Sequence, residues 1–124
     1  MSNLKTWLYK RRGKVFEGET LQQAVDYFLK LVEDGAEVYE FPDAIIVLEN
    51  YGLPGNVRGY LLFDKFTRKT VKAIQKVSDE FKGKALYAAT SDARIVNLLL
   101  KFDYNLYHKE GSECFLVKRS KNHG

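Results

Sequence analysis

Thr90, Ser91 and Asp92 close one apolar run, Ala85 to Ala89, and open another in which Ile95, Val96, Leu98 and Leu99 recur at helical spacing. A strand that feeds a short helix in this way, at the open end of a sheet, is where small ligands tend to be held. A second group with chemical potential follows the apolar run Val57–Phe63, where Lys65, Arg68 and Lys69 cluster around Thr67 and Thr70. An anionic ligand would be drawn to these cations, and the plainer reading is a solvated first helical turn. Cys114 is the only cysteine, which excludes an intrachain disulfide and a cysteine-rich zinc site. It lies in the apolar run Cys114–Val117 and reads as a strand residue, because a reactive thiol would need Lys118 or His108 folded against it. His108 stands beside Lys109 and reads as exposed, His123 falls in the last residues, and no metal-ligand cluster is legible.

Those residues need elements to position them. At 124 residues, 45% hydrophobic and 29% charged, the chain fits one soluble domain with one core. Thr6–Arg11 reads as a first strand. Thr20 and Gln23 have capping-box spacing, and Leu21, Ala24, Val25, Phe28, Leu29 and Val32 follow on one helical face until Gly35 stops it. Ala36–Phe41 and Ala44–Glu49 read as strands joined at Pro42 and Asp43, and the turn formers of Asn50–Asn56 lead to a strand over Val57–Phe63. A helix is expected from about Thr67 to Phe81, then a strand over Ala85–Thr90 and a helix over Asp92–Phe102. A hairpin closes the pattern, Asn105–His108 against Glu113–Lys118, turning at Glu110–Ser112, and Ser120–Gly124 reads as a frayed tail. The order is β-α-β-β-β-α-β-α-β-β, an α+β fold with a mixed central sheet and flanking helices. Single strands alternating with helices in the second half require at least one parallel pairing there. The expected domain runs over 1–119, with the tail at 120–124.

The net charge of +4 is unevenly spread. No Lys or Arg lies between Leu31 and Val57, where Glu33, Asp34, Glu37, Glu40, Asp43 and Glu49 fall. Basic residues gather at Lys10–Lys14, Lys65–Lys84 and Lys118–Lys121. Such a molecule would offer an anionic ligand one side and a cationic acceptor the other. The longest apolar runs are far below the ~20 residues that cross a bilayer. With no signal-type N-terminal stretch, cytoplasmic residence is the default expectation.

The run Ala85–Tyr104 is similar to the C-terminal motif of the GCN5-related N-acetyltransferase (GNAT) superfamily. In that family a strand ends in Asn, a helix follows, and the helix closes on Lys, an apolar residue, Gly and Phe. Here Asp92 stands for the Asn, and Lys101, Phe102, Asp103 and Tyr104 stand for the closing turn. The element order resembles a compact member of the superfamily over most of the chain, like the small divergent acyltransferases encoded by tailed bacteriophages. The resemblance implies that acetyl-CoA is held between the Val57–Phe63 and Ala85–Thr90 strands, with Leu62, Phe63, Lys65, Arg68, Lys69, Thr70 and Asp92 at the cofactor. The acetyl group would pass to an amine by direct attack, for which orientation is the main requirement.

Three features depart from the family pattern. The phosphate loop usually carries two glycines that let backbone N–H groups close on pyrophosphate, and Arg68 and Thr70 fill those positions. Either side chains of Lys65, Arg68 and Lys69 face the phosphates, or CoA is not bound. The tyrosine that protonates the leaving thiolate is replaced by Leu99, for which Tyr104 or Tyr107 could substitute. Asp103 replaces Gly, a milder change because Asp tolerates the left-handed conformation. For the base, the resemblance implies a glutamate or water, and the glutamates on offer are Glu49 at its strand end and Glu40. The acidic segment Glu33–Glu49 would favour a basic protein or another amine acceptor. Two rivals stand beside the enzyme: a binding protein on the same scaffold that has lost CoA, and a basic nucleic-acid-binding module. Arg58, Gly59 and Tyr60 match the opening of the RNA-recognition signature, but Leu61 then breaks the match.

Overall fold

The computed structural model describes residues 21–41, 44–63 and 65–119. The expected first strand at Thr6–Arg11, the cap at Thr20, the Pro42–Asp43 turn and the tail from Ser120 lie outside the described residues. Within them the elements are α1 (Leu21–Glu33), β1 (Glu37–Phe41), β2 (Ala44–Asn50), β3 (Asn56–Phe63), α2 (Arg68–Glu80), β4 (Ala85–Thr90), α3 (Ala93–Lys101), β5 (Asn105–Glu110) and β6 (Glu113–Arg119). The six strands form one mixed sheet in the order β1-β2-β3-β4-β6-β5. β1 and β2 pair antiparallel, as do β4 with β6 and β5 with β6, while β3 and β4 run parallel. The parallel pair is joined through α2, the kind of connection a parallel pairing requires. No helix of the described residues is long and apolar enough to cross a membrane.

The described residues divide into two compact units, one of 21–41, 44–49, 60–63 and 65–74, the other of 50–59 and 75–119. The first unit is built on Val25, Phe28, Ile45, Val47 and Leu62, all buried, with Leu29, Val32, Val38 and Tyr60 packed against them. Val25 and Phe28 are one turn of α1 apart, which is why the helical spacing in the sequence puts them on one face. Gly35 ends α1 at φ +104°. Its N–H donates to the Val32 carbonyl and the Ala36 N–H to that of Leu31, the paired bonds of a Schellman stop. β2 is buried from Ala44 to Leu48, as expected of a strand covered on both faces.

The second unit holds the β4-β6-β5 ladder and α3. Leu86, Leu116 and Val117 are buried there, together with Ile95 and Leu99 of α3. Cys114 is also buried, as a strand residue of β6. The C-terminal hairpin is longer than the sequence indicates: β5 continues through Lys109 and Glu110, and the connection shrinks to Gly111 and Ser112. Charge hid this extension. All of β5 is exposed, so its last residues pair through the backbone without a hydrophobic signature. Gly111, at φ +61°, supplies the positive φ that such a tight turn demands.

Candidate functional site

In the first unit, the segment from Lys65 to Thr70 is closed on itself by Thr70. Its side chain is fully buried, accepts a hydrogen bond from the Thr67 N–H at 3.1 Å and donates one to the Lys65 carbonyl at 3.0 Å. The Val71 N–H then donates to the Thr67 carbonyl, which makes Thr67 the first capping residue of α2 and Thr70 its partner three positions on. The hydroxyl of Thr70 is thereby spent on shaping the loop. Lys65, Arg68 and Lys69 are exposed on the same segment. The loop therefore presents cationic side chains around a threonine-built turn, in place of a glycine cradle.

β3 leads into this loop. Its parallel pairing with β4 covers Asn56–Arg58 against Ala85–Tyr87 and ends there, while β3 continues to Phe63. Leu62 points into the core, and Phe63 is half-buried with its ring 6.0 Å from Phe66 in an edge-to-face contact. Two residues before Leu62, Tyr60 donates a 2.6 Å hydrogen bond to Glu49 Oε1. Tyr60 Oη is also 2.8 Å from Tyr27 Oη of α1. Glu49 is thus linked by hydrogen bonds through Tyr60 to Tyr27. Tyr27 is a functional candidate that sequence reasoning missed, and Tyr60 one that it named only within the RNA-recognition match. Nothing in the spacing of positions 27, 49 and 60 relates them, since each sits on a different element. Glu40 lies exposed on β1.

In the second unit, Asp92 caps α3. Its Oδ1 accepts from the Arg94 N–H at 2.9 Å, and both carboxylate oxygens meet the Arg94 guanidinium, at 3.2 and 2.8 Å. Those hydrogen bonds hold the Asp92 carboxyl below its ordinary pKa. Tyr104 is buried, with its hydroxyl 2.8 Å from Ser78 Oγ of α2, and burial pushes its phenol up to about 12. Lys118 donates to the Ser78 carbonyl at 3.2 Å and completes this enclosed group. Leu99 is buried, as a core residue. Asp103 has φ +71°, and among the described residues it alone, glycine aside, has a positive φ. Tyr51, Tyr87 and Tyr107 form a contiguous row of rings, 5.1 and 6.0 Å apart, with the Arg58 guanidinium 4.9 Å above Tyr51. His108 is exposed beside Phe115.

No family model matches the chain, and no curated protein does. Solved structures match it over nearly its whole length. Aminoglycoside 6'-acetyltransferase type Ii is 13% identical with a TM-score of 0.69, the alignment covering 95% of this chain and 90% of that one. A chimera of the Vibrio cholerae spermidine N-acetyltransferase SpeG with hSSAT is 8% identical, TM-score 0.69, covering 96% and 93%. The putative acetyltransferase yncA of Salmonella typhimurium, solved with its cofactor acetyl-CoA, is 10% identical, TM-score 0.62, covering 86% and 78%. The chain thus has the fold of the GNAT acetyltransferases.

Proposed function

We propose that the protein is an acetyl-CoA-dependent N-acetyltransferase acting on an amine of a small molecule or a basic protein. The observation that carries the reading is the end of the parallel ladder at Arg58, with β3 running on to Phe63 and into a cationic loop at the start of α2. A strand that leaves its partner has backbone groups to offer an extended ligand, and the loop offers cations to its phosphates. Acetyl-CoA fits that combination, as an extended thioester that ends in pyrophosphate. Lys65, Arg68 and Lys69 would meet the phosphates, and the β3 backbone at Leu62 and Phe63 would align the thioester. The amine nitrogen attacks the thioester carbonyl, a C–N bond forms, and the C–S bond breaks with its electron pair on sulfur. Glu49 accepts the proton the amine must lose. A cationic acceptor suits the acidic run from Glu33 to Glu49. Spermidine and aminoglycosides, the amines named for two of the compared proteins, are the first acceptors to try.

One observation favours a second reading. Both glycine positions of the phosphate loop are filled, and Thr70 is fully buried, which suits a non-catalytic binding protein on the same scaffold. The same filled positions support a place among the small divergent phage-encoded members. Thermal unfolding with and without acetyl-CoA separates enzyme from binding protein. A ligand selective for the folded state at about 100 times its Kd stabilises by about 2.7 kcal/mol, a shift of several degrees. An unchanged midpoint at millimolar acetyl-CoA would overturn the enzyme reading.

A further inference from the structure

Tyr27, Tyr60 and Glu49 form a directed chain. A carboxylate only accepts hydrogen bonds, so the single proton of Tyr60 is committed to Glu49 Oε1, 2.6 Å away. The Tyr60 oxygen can then only accept from Tyr27, 2.8 Å away, and the proton of Tyr27 is committed in turn. Both bonds point inward, from an exposed phenol on α1 to a half-buried carboxylate on β2. The rings are held at these distances. Tyr27, Phe28 and Tyr60 meet pairwise edge-to-face with centroids 5.1, 5.4 and 6.0 Å apart, and Phe28 is anchored in the core. A chain fixed in this way transfers a proton without reorganising its members.

We propose that Tyr27 and Tyr60 relay to Glu49 the proton released by the acceptor amine, with Tyr27 Oη as the atom the amine meets. This deepens the acetyltransferase reading and rests on it. When the amine has added to the thioester carbonyl, its nitrogen carries a positive charge and one proton too many. That proton passes to Tyr27 Oη as Tyr27 gives its own to Tyr60 and Tyr60 gives its own to Glu49. The tetrahedral adduct then expels the CoA thiolate. The products are the amide, the thiolate and a protonated Glu49, with both phenols restored. The exposed position of Tyr27 suits an unhindered primary amine on a flexible chain.

The test uses Tyr27→Phe, Tyr60→Phe and the double variant in the full chain, with acetyl-CoA and three probe amines: spermidine, kanamycin and a lysine-containing peptide. Phenylalanine keeps the ring packing and deletes only the proton carrier. Each single variant is expected to lower kcat about 100-fold and leave the KM for acetyl-CoA unchanged. The double variant should be no slower than the singles, because members of one relay do not add. By proton NMR, Tyr27→Phe should shift the Tyr60 hydroxyl resonance upfield, because linked hydrogen bonds polarise one another. Single variants with full kcat, losses that multiply in the double variant, or an unmoved Tyr60 resonance would each overturn the relay and leave the acetyltransferase reading intact. A wild type that binds acetyl-CoA but acetylates none of the three amines would overturn the relay and the acetyltransferase reading together, in favour of the binding protein. A wild type with no acetyl-CoA thermal shift would overturn both.

Discussion

Asp103 shows how one residue can keep a fold's geometry without the residue type that usually provides it. The Tyr104 N–H reaches back to the Leu99 carbonyl, and the residue between helix and strand must take a positive φ for that bond to close. Asp bears φ +71° at modest cost because its short polar side chain tolerates the left-handed region, whereas a β-branched residue does not. Asp103→Val is therefore expected to be about 1–2 kcal/mol less stable in urea unfolding than Asp103→Gly, since both remove the carboxylate and only Val strains the backbone. Equal losses for the two would show that the backbone does not dictate this position. Tyr104, next in the chain, makes a separate prediction. Its folded-state pKa is raised to about 12 by burial from the ordinary 10, so between those values the unfolded chain releases a proton that the folded one retains. Stability supported by the neutral phenol is full below pH 10 and falls as the pH climbs towards 12, by roughly 2–3 kcal/mol. Tyr104→Phe leaves Ser78 Oγ without its partner and should start about 1 kcal/mol less stable. The variant should lack that part of the alkaline decline. Parallel pH curves for wild type and variant would refute the assignment.

Glycines fix the loop that introduces β3, each for a different reason. Leu53, Pro54, Gly55 and Asn56 form a turn closed by the Asn56 N–H on the Leu53 carbonyl, with Gly55 at φ +90° as a type II turn requires. The Gly55 carbonyl accepts from the Lys84 N–H at 2.7 Å, which ties this turn to the start of β4. Gly83 lies against the same carbonyl, where an added Cβ would sit 2.6 Å from the backbone oxygen. Gly52 has φ +75° but open space around it. Gly83→Ala is thus expected to cost about 1–3 kcal/mol by overpacking, and Gly52→Ala only about 1 kcal/mol of conformational strain. If thermal unfolding ranks the two the other way, the tie between turn and strand is not what holds β4 in place. The same contrast explains what was legible beforehand. Periodicity at Val25, Phe28, Val77 and Leu99, and the turn residues at Gly35 and Leu53–Asn56, are local signals, and they placed the helices and most strand ends. The extension of β5 through Glu110, the enclosure of Tyr104 with Ser78 and the Tyr27–Tyr60–Glu49 chain depend on pairing between distant segments. A residue's spacing along the chain says nothing about such partners.

At the scale of the whole molecule, a fold shared with acetyltransferases would have to hold CoA through a loop that carries Arg68 and Thr70 and no glycine. A glycine cradle binds phosphate through backbone N–H groups at a helix N-terminus, a short-range and geometrically exact interaction. Thr70 closes the loop here with two hydrogen bonds and no exposure, so the cradle cannot be rebuilt at that position. What the segment offers is charge, in Lys65, Arg68 and Lys69, all at the surface. Exposed charges act through solvent and are screened over about 8 Å at 0.15 M ionic strength and about 3 Å at 1 M. Binding that rests on them should therefore be far more salt-sensitive than binding to a backbone cradle. The acetyl-CoA thermal shift is expected to shrink steeply between 0.05 and 1 M salt (about a threefold or greater fall in Debye length). It should be lost at low salt in a Lys65→Gln, Arg68→Gln, Lys69→Gln triple variant, whose own unfolding midpoint should barely move because the three side chains lie outside the core. A triple variant that keeps the full shift would place phosphate recognition on the backbone after all. A shift that disappears in the variant yet ignores salt would mean that the three side chains contact the phosphates in a dry, enclosed site, which their exposure contradicts.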